Sequence, residues 1–264
     1  MQVRSLAYQT DLFFPAFDGE IFDRDNYLVI RTPANPSFYW GNFLLFAHPP
    51  QPGDNVRWPD LFAREIVAPP QVRHQTFGWD TTTDEKGAVE SFLADGFRLN
   101  HMAVLTTQQV HPPQNPATDV TVRPLVTEQD WERALVNQVI CREPGHDEAG
   151  HRVFKQQQMA RYREMAAGGL GAWFGAFIGR QLVADLGIFH NQIVGRFQLV
   201  ETHPDYRRRG IGGTMVFEAA RYALAHFGID TLVIVAEMDS APARLYGSVG
   251  FQPTEHQWGL ERWE

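Results

Sequence analysis

The chain has 264 residues, 44% of them hydrophobic and 20% charged, with a formal net charge of −8. That suffices for one large or two small cores, and the acidic balance argues against a general nucleic-acid binder while favouring a cationic or amine ligand. Apolar runs are too short to span a bilayer, no basic-then-apolar leader opens the sequence, and a single cysteine, Cys141, excludes an intrachain disulfide, so a cytoplasmic location is expected.

In chain order, the aromatics Phe38, Tyr39, Trp40, Phe43 and Phe46 read as strand core. Leu44 to Pro49 closes that segment. A helix is expected over Trp58 to Val67 and a strand over His74 to Asp80. Thr107 to Asp119, with Pro112, Pro113 and Pro116, reads as a linker that neither packs nor joins a ladder. It separates residues 1–106 from residues 120–264. In the second half, Val120 to Pro124 is a strand. Thr127 caps a helix running to about Cys141, with Glu128 and Asp130 in its first turn. A second helix covers Asp147 to Ala167 and ends at Gly168-Gly169. A hairpin joins Ala172–Ile178 to Gln181–His190 through Gly179-Arg180. A strand over Val194 to Thr202, a helix over 211–226, a strand over 230–236, a short helix over 240–248 and a last strand follow.

The halves look related. Leu44 to Pro49 resembles Leu199 to Pro204, and Phe92 to Phe97 resembles Tyr246 to Phe251, at nearly equal separations, which is the mark of an internal repeat.

The most informative run is Arg207-Arg208-Arg209-Gly210-Ile211-Gly212-Gly213. It links a strand to a helix with Ile211, Met215, Ala219, Tyr222 and Ala223 on one face. A glycine turn at a helix start aims backbone N–H groups and partial positive charge at a phosphate. Met215 stands where a dinucleotide fingerprint needs glycine, and no Gly-Lys-Ser/Thr occurs, so the two commonest phosphate loops are excluded. The pattern basic-x-x-Gly-x-Gly, with Arg207, Gly210 and Gly212 in register, resembles the acetyl-coenzyme A loop of the GCN5-related N-acetyltransferases (GNATs). So does Asp239 to Tyr246 followed by Gly250-Phe251: a polar residue, Leu-Tyr, then Gly-Phe. The resemblance covers Val120 to Glu264.

It implies an α+β fold of tandem GNAT-like domains, each a mixed, mostly antiparallel sheet flanked by helices. Residues 1–106 would form a degenerate domain, the alternative being an unrelated α+β cap, and 120–264 a catalytic one. The implied activity is N-acetyl transfer from acetyl-coenzyme A, as co-substrate, to a primary amine of a small molecule or peptide. Backbone and side chains of Arg207, Arg208, Arg209, Gly210, Ile211, Gly212 and Gly213 would hold the pyrophosphate. Backbone groups near Val200 and Thr202 would pair with pantetheine where the fourth strand splays from the fifth. Asp239 stands where the family usually has asparagine, which puts that contact in doubt. Tyr246 would be the general acid and Glu201 the base, with Asp185 and Glu237 as weaker bases and water as a further route. In the first half, Pro50, Pro52 and Asp54 replace the donor loop, and Phe92 stands where Tyr246 stands.

No metal, nucleic acid or membrane is expected; a second copy of the chain is a candidate partner. His146, Asp147, Glu148 and His151 have metal-like composition, but histidines five apart do not share a helix face, so a solvated helix start is expected there. Tyr246 also breaks a Gly-x-Ser-x-Gly elbow at Ser248. Cys141 reads as packing. The alternatives are a non-catalytic acyl-coenzyme A sensor and an interaction module using the aromatic first half.

Overall fold

The structure, a computed structural model, describes residues 1–66, 72–142 and 147–263. The chain forms two compact units, one of Met1–Val104, Ala236–Met238 and Thr254–Glu264, the other of Leu105–Val235 and Asp239–Pro253.

The first unit opens with short helices α1 (Leu6–Asp11) and α2 (Phe13–Asp18). Strands β1 (Glu20–Asp23), β2 (Tyr27–Arg31) and β3 (Phe43–Phe46) follow, then helix α3 (Asp54–Glu65), β4 (His74–Trp79), α4 (Glu90–Ala94) and β5 (Arg98–Thr107). β1, β2 and β3 pair antiparallel, and β3 pairs parallel with β4. Of the aromatics read as strand core, Phe43 and Phe46 lie in β3, whereas Tyr39 and Trp40 sit in a 3-10 turn and Phe38 precedes it. Helix α3 starts a turn earlier than expected because Gly53, at φ +94°, supplies its left-handed N-cap. Its expected end at Val67 lies outside the described residues.

The second unit holds β6 (Thr121–Pro124), α5 (Glu128–Ile140), α6 (Glu148–Ala167), β7 (Gly171–Ile178), β8 (Gln181–His190), β9 (Val194–Thr202), α7 (Ile211–His226), β10 (Thr231–Glu237) as far as Val235, and α8 (Ala241–Gly247). This is the order expected from the sequence. Thr127 and Asp130 form a reciprocal capping box at α5. The sheet runs β6-β7-β8-β9-β10, antiparallel except for the parallel pair β9/β10. Leu182 to Phe189 of β8 are buried at every position, so both sheet faces are covered. Helices α5 and α6 pack on β7 and β8, and α7 packs across β6 to β9.

The final strand, β11 (Gln252–Trp263), departs from the division read in the sequence. From Thr254 onward it belongs to the first unit. It lies between β4 and β5, antiparallel to β4 from Trp258↔Trp79 to Trp263↔His74. Trp258 and Leu260 join the buried cluster of Phe46, Trp58, Phe77, Trp79, Phe92 and Phe97. Phe46 stacks on Trp58 at 3.8 Å in that cluster.

Segment 107–119, read as a linker that does not pack, is held against the second unit. His111 donates its backbone N–H to the Val249 carbonyl (3.1 Å), and Ala117 donates to Thr214 Oγ1 (2.8 Å). Proline-rich chain cannot form a ladder, but its rings and carbonyls still pack.

Candidate functional site

The parallel ladder between β9 and β10 covers only Val194–Arg196 against Thr231–Val233, although both strands continue for several residues. Beyond it β9 bulges. Asp185 faces Glu201 and Gly187 faces Gln198, so β9 carries one residue more than β8 across that interval. Leu199, at φ +47°, takes up the strain. A strand that bulges and leaves its parallel neighbour opens a gap, and Val200, Glu201 and Thr202 stand on its β9 side.

The chain then makes a 3-10 turn at Pro204–Tyr206 and enters α7. Arg208 (φ +64°) and Gly210 (φ +74°) are both left-handed, which turns successive N–H groups toward the start of a sixteen-residue helix. The glycines differ in what they face. A Cβ on Gly210 would stand 2.3 Å from the Asn115 carbonyl oxygen, and one on Gly213 would stand 3.2 Å from Pro113. A Cβ on Gly212 would instead meet Leu245 Cδ1 at 3.3 Å and Thr202 Oγ1 at 3.5 Å. Gly212 is thus the glycine whose missing side chain clears the space between α7, α8 and the end of β9. The arginines differ too. Arg207 Nε donates to the Thr202 carbonyl at 3.1 Å, and Arg209 pairs with Asp119 at 2.7 Å. Arg208 is exposed and makes no ion pair among the described residues.

Tyr246 lies on α8 and is 6% exposed. Burial first, and the charge of Glu201 second, push its phenol well above the ordinary range, so it is protonated at neutral pH. Asp239 is exposed and left-handed at φ +55°, just before the Ser240 cap of α8. Asparagine and aspartate share tolerance of that conformation, which is a backbone reason for the residue type. Glu237 is exposed at the end of β10.

Sequence reasoning missed a buried polar network beside Glu201. Asp185 is fully buried and accepts from Asn137 Nδ2 (2.7 Å), Gln138 Nε2 (2.6 Å) and Trp173 Nε1 (3.1 Å). Burial pushes its carboxyl up to about 7 despite those bonds. Enclosed by three donors, it positions side chains and has no approach to a substrate. Lys155, 7% exposed, donates to Gln138 Oε1 and Gln158 Oε1, both at 3.1 Å. Burial pulls its ammonium down to about 8, against the opposing pull of Glu201 and Asp185. The available signal was the inward stripe of α6: Lys155, Gln158, Met159, Tyr162 and Met165 recur at helical spacing, with polar residues among them. Cys141 Sγ donates to the Thr202 carbonyl at 3.5 Å, and burial pushes its thiol up to about 12, so it is not a nucleophile.

In the metal-like cluster, His146 lies outside the described residues. Asp147 caps α6 through Gly150 N–H, and Glu148 pairs with Arg142.

The first unit repeats the β-glycine-α-β-α-β order, and β3/β4 are parallel as β9/β10 are. Gly53 and Gly210 are both left-handed N-caps; Gly96 and Gly250 are both left-handed before a phenylalanine. At α3, however, Asp54 is buried and accepts from its own Gln51 N–H at 2.8 Å. That carboxylate takes up a donor at the helix start and also pairs with Arg57 at 2.8 Å.

A family model described as FR47-like protein matches residues 174–259. No curated protein matches the chain in sequence. Among solved structures, a functionally unknown conserved protein from Staphylococcus epidermidis is similar at TM-score 0.72 and 13% identity, over 94% of this chain and 95% of its own. A GCN5-related N-acetyltransferase from Kribbella flavida is similar at TM-score 0.64 and 14% identity, over 97% and 95%. A tandem GNAT protein from the clavulanic acid biosynthesis pathway is similar at TM-score 0.52 and 10% identity, over 77% and 66%. The chain therefore has the GCN5-related N-acetyltransferase superfamily fold, with the FR47-like match in its C-terminal half. None of the described helices is long and apolar enough to cross a membrane.

Proposed function

We propose that the second unit transfers an acetyl group from acetyl-coenzyme A to a primary amine of a small molecule or peptide. The observation that carries this reading is the left-handed Arg208–Gly210 turn at the start of α7, beside the point where β9 leaves β10. A pyrophosphate needs convergent N–H donors, and a pantetheine arm needs an opened strand edge. The space cleared by Gly212 suits a chain passing between them. Acetyl-coenzyme A supplies an activated thioester carbonyl when bound.

In this reading the N–H groups from Arg208 to Gly213 hold the pyrophosphate, with the Arg208 guanidinium adding charge. Backbone groups near Val200 and Thr202 orient the pantetheine arm. Glu201 receives the proton of the attacking amine, directly or through water. Tyr246, protonated at neutral pH, gives its proton to the departing thiolate. Lys155 and Asp185 hold Gln138, whose Nε2 also donates to the Leu199 carbonyl at 3.2 Å, and so fix the bulge that presents Glu201.

Calorimetry with acetyl-coenzyme A should give one molecule bound per chain, because Asp54 and the prolines disable the first-unit loop. A screen of amines, aminoglycosides and peptides should release free coenzyme A with at least one class. Two molecules bound per chain would overturn the reading of the first unit. Tight binding without turnover on any acceptor would mark a sensor instead of an enzyme.

A further inference from the structure

The first unit carries a cluster outside the site proposed for acyl transfer. Asp84 in the loop after β4, His101 on β5 and His256 on β11 bring one ligand atom each to a common point. His101 Nε2 and His256 Nδ1 are 2.8 Å apart, and Asp84 Oδ1 lies 3.4 Å from the first and 3.7 Å from the second. A tetrahedral zinc ion with ligands at about 2.0–2.1 Å has ligand-to-ligand edges of about 3.3–3.4 Å, which these separations bracket. The donor set, two imidazoles and a carboxylate, is that of a late first-row divalent ion.

Stacking holds the rings in place. His256 and Trp258 are two apart on β11 and so share a face. The buried Trp258 indole lies flat on His101 at 3.6 Å and 4°, and the two imidazole planes differ by 21°. The side chains are 28%, 31% and 69% exposed for His101, His256 and Asp84, which leaves a water-accessible side for a fourth ligand.

We propose that Asp84, His101 and His256 form a zinc site that clips the loop after β4 to strands β5 and β11. The ligands are far apart in sequence, so an ion binding only the folded arrangement closes long loops and stabilises the unit that β11 completes. The proposal is independent of the acyltransferase reading.

The full chain, stripped with a chelator and titrated with zinc alone at neutral pH, should bind one ion and gain thermal stability. Cobalt in its place should give the absorption of a nitrogen- and oxygen-ligated tetrahedral site. Asp84→Asn, a near-isosteric change at an exposed loop position, should weaken binding at least about tenfold and leave the fold intact by circular dichroism. His256→Ala, checked for its fold by circular dichroism, should abolish it. No zinc uptake by the wild-type chain overturns the proposal and leaves a histidine–histidine hydrogen bond beside an acidic loop. So does uptake that Asp84→Asn leaves unchanged, because the ion would then sit on other histidines.

Discussion

At the scale of single residues, Tyr246 and Lys155 make separable predictions. Tyr246→Phe removes a hydroxyl from a ring that is almost wholly buried, so packing is kept. As general acid, its loss should lower kcat on the order of a hundredfold, with little change in the dissociation constant for acetyl-coenzyme A. A kcat within about threefold of wild type, with chemistry limiting, would show that another group protonates the thiolate. Lys155 has a folded pKa of about 8, below its ordinary 10.5. Between those values the unfolded chain holds the proton more tightly, so rising pH favours the folded state there. Below about 8 the full cost of the buried ammonium is present. Urea midpoints of wild type relative to Lys155→Met should therefore climb from about pH 8 to about pH 10. A flat difference would mean that the ammonium is not destabilised by burial.

At the scale of elements, the glycines of the α7 turn have unlike jobs. Gly210→Ala forces a side chain into a left-handed residue and against Asn115, so it should lower the melting temperature by several degrees. Gly212→Ala has helical backbone and meets only the end of Leu245 and a hydroxyl, so stability should hold. Its methyl group narrows the gap between α7 and β9, and acetyl-coenzyme A affinity should fall. Thermal melts and calorimetry on the two variants test this together. Unchanged affinity in Gly212→Ala would place the coenzyme elsewhere. The same comparison explains the first unit: Gly53 repeats the turn, but Asp54 fills its own helix start.

At the scale of the whole molecule, β11 decides what can fold alone. A 1–106 fragment lacks the strand between β4 and β5, and with it Trp258 and Leu260. Exposing an apolar sheet edge and removing two large core side chains exceeds what a small domain tolerates. The fragment should be insoluble or molten by near-ultraviolet circular dichroism, and adding residues 252–264 through a linker should restore cooperative melting. A well-folded 1–106 fragment would show that β11 is dispensable to that unit.

The local elements of the second half were legible because each carries its own signal. Thr127 and Asp130 cap α5, Gly179-Arg180 turns the hairpin, and Gly210 opens α7. The turn at Arg207 to Gly213 and the short helix carrying Leu245-Tyr246 were legible for the same reason: their backbone depends on near neighbours in sequence. The repeat, too, could be read from short matching runs, Leu44 to Pro49 with Leu199 to Pro204 and Phe92 to Phe97 with Tyr246 to Phe251, since each run lies within one stretch of sequence. Long-range placement could not. Nothing local in Gln252 to Trp263 says which sheet it joins, because strand patterning specifies a face and not a neighbour. The network of Asn137, Gln138, Lys155 and Asp185 exists only once two helices and a strand enclose it, and burial is the largest cause of its shifted titration. Asp84, His101 and His256 meet for the same reason, each ordinary in its own segment and brought within hydrogen-bonding or ion-pairing distance by the order of strands β4, β11 and β5.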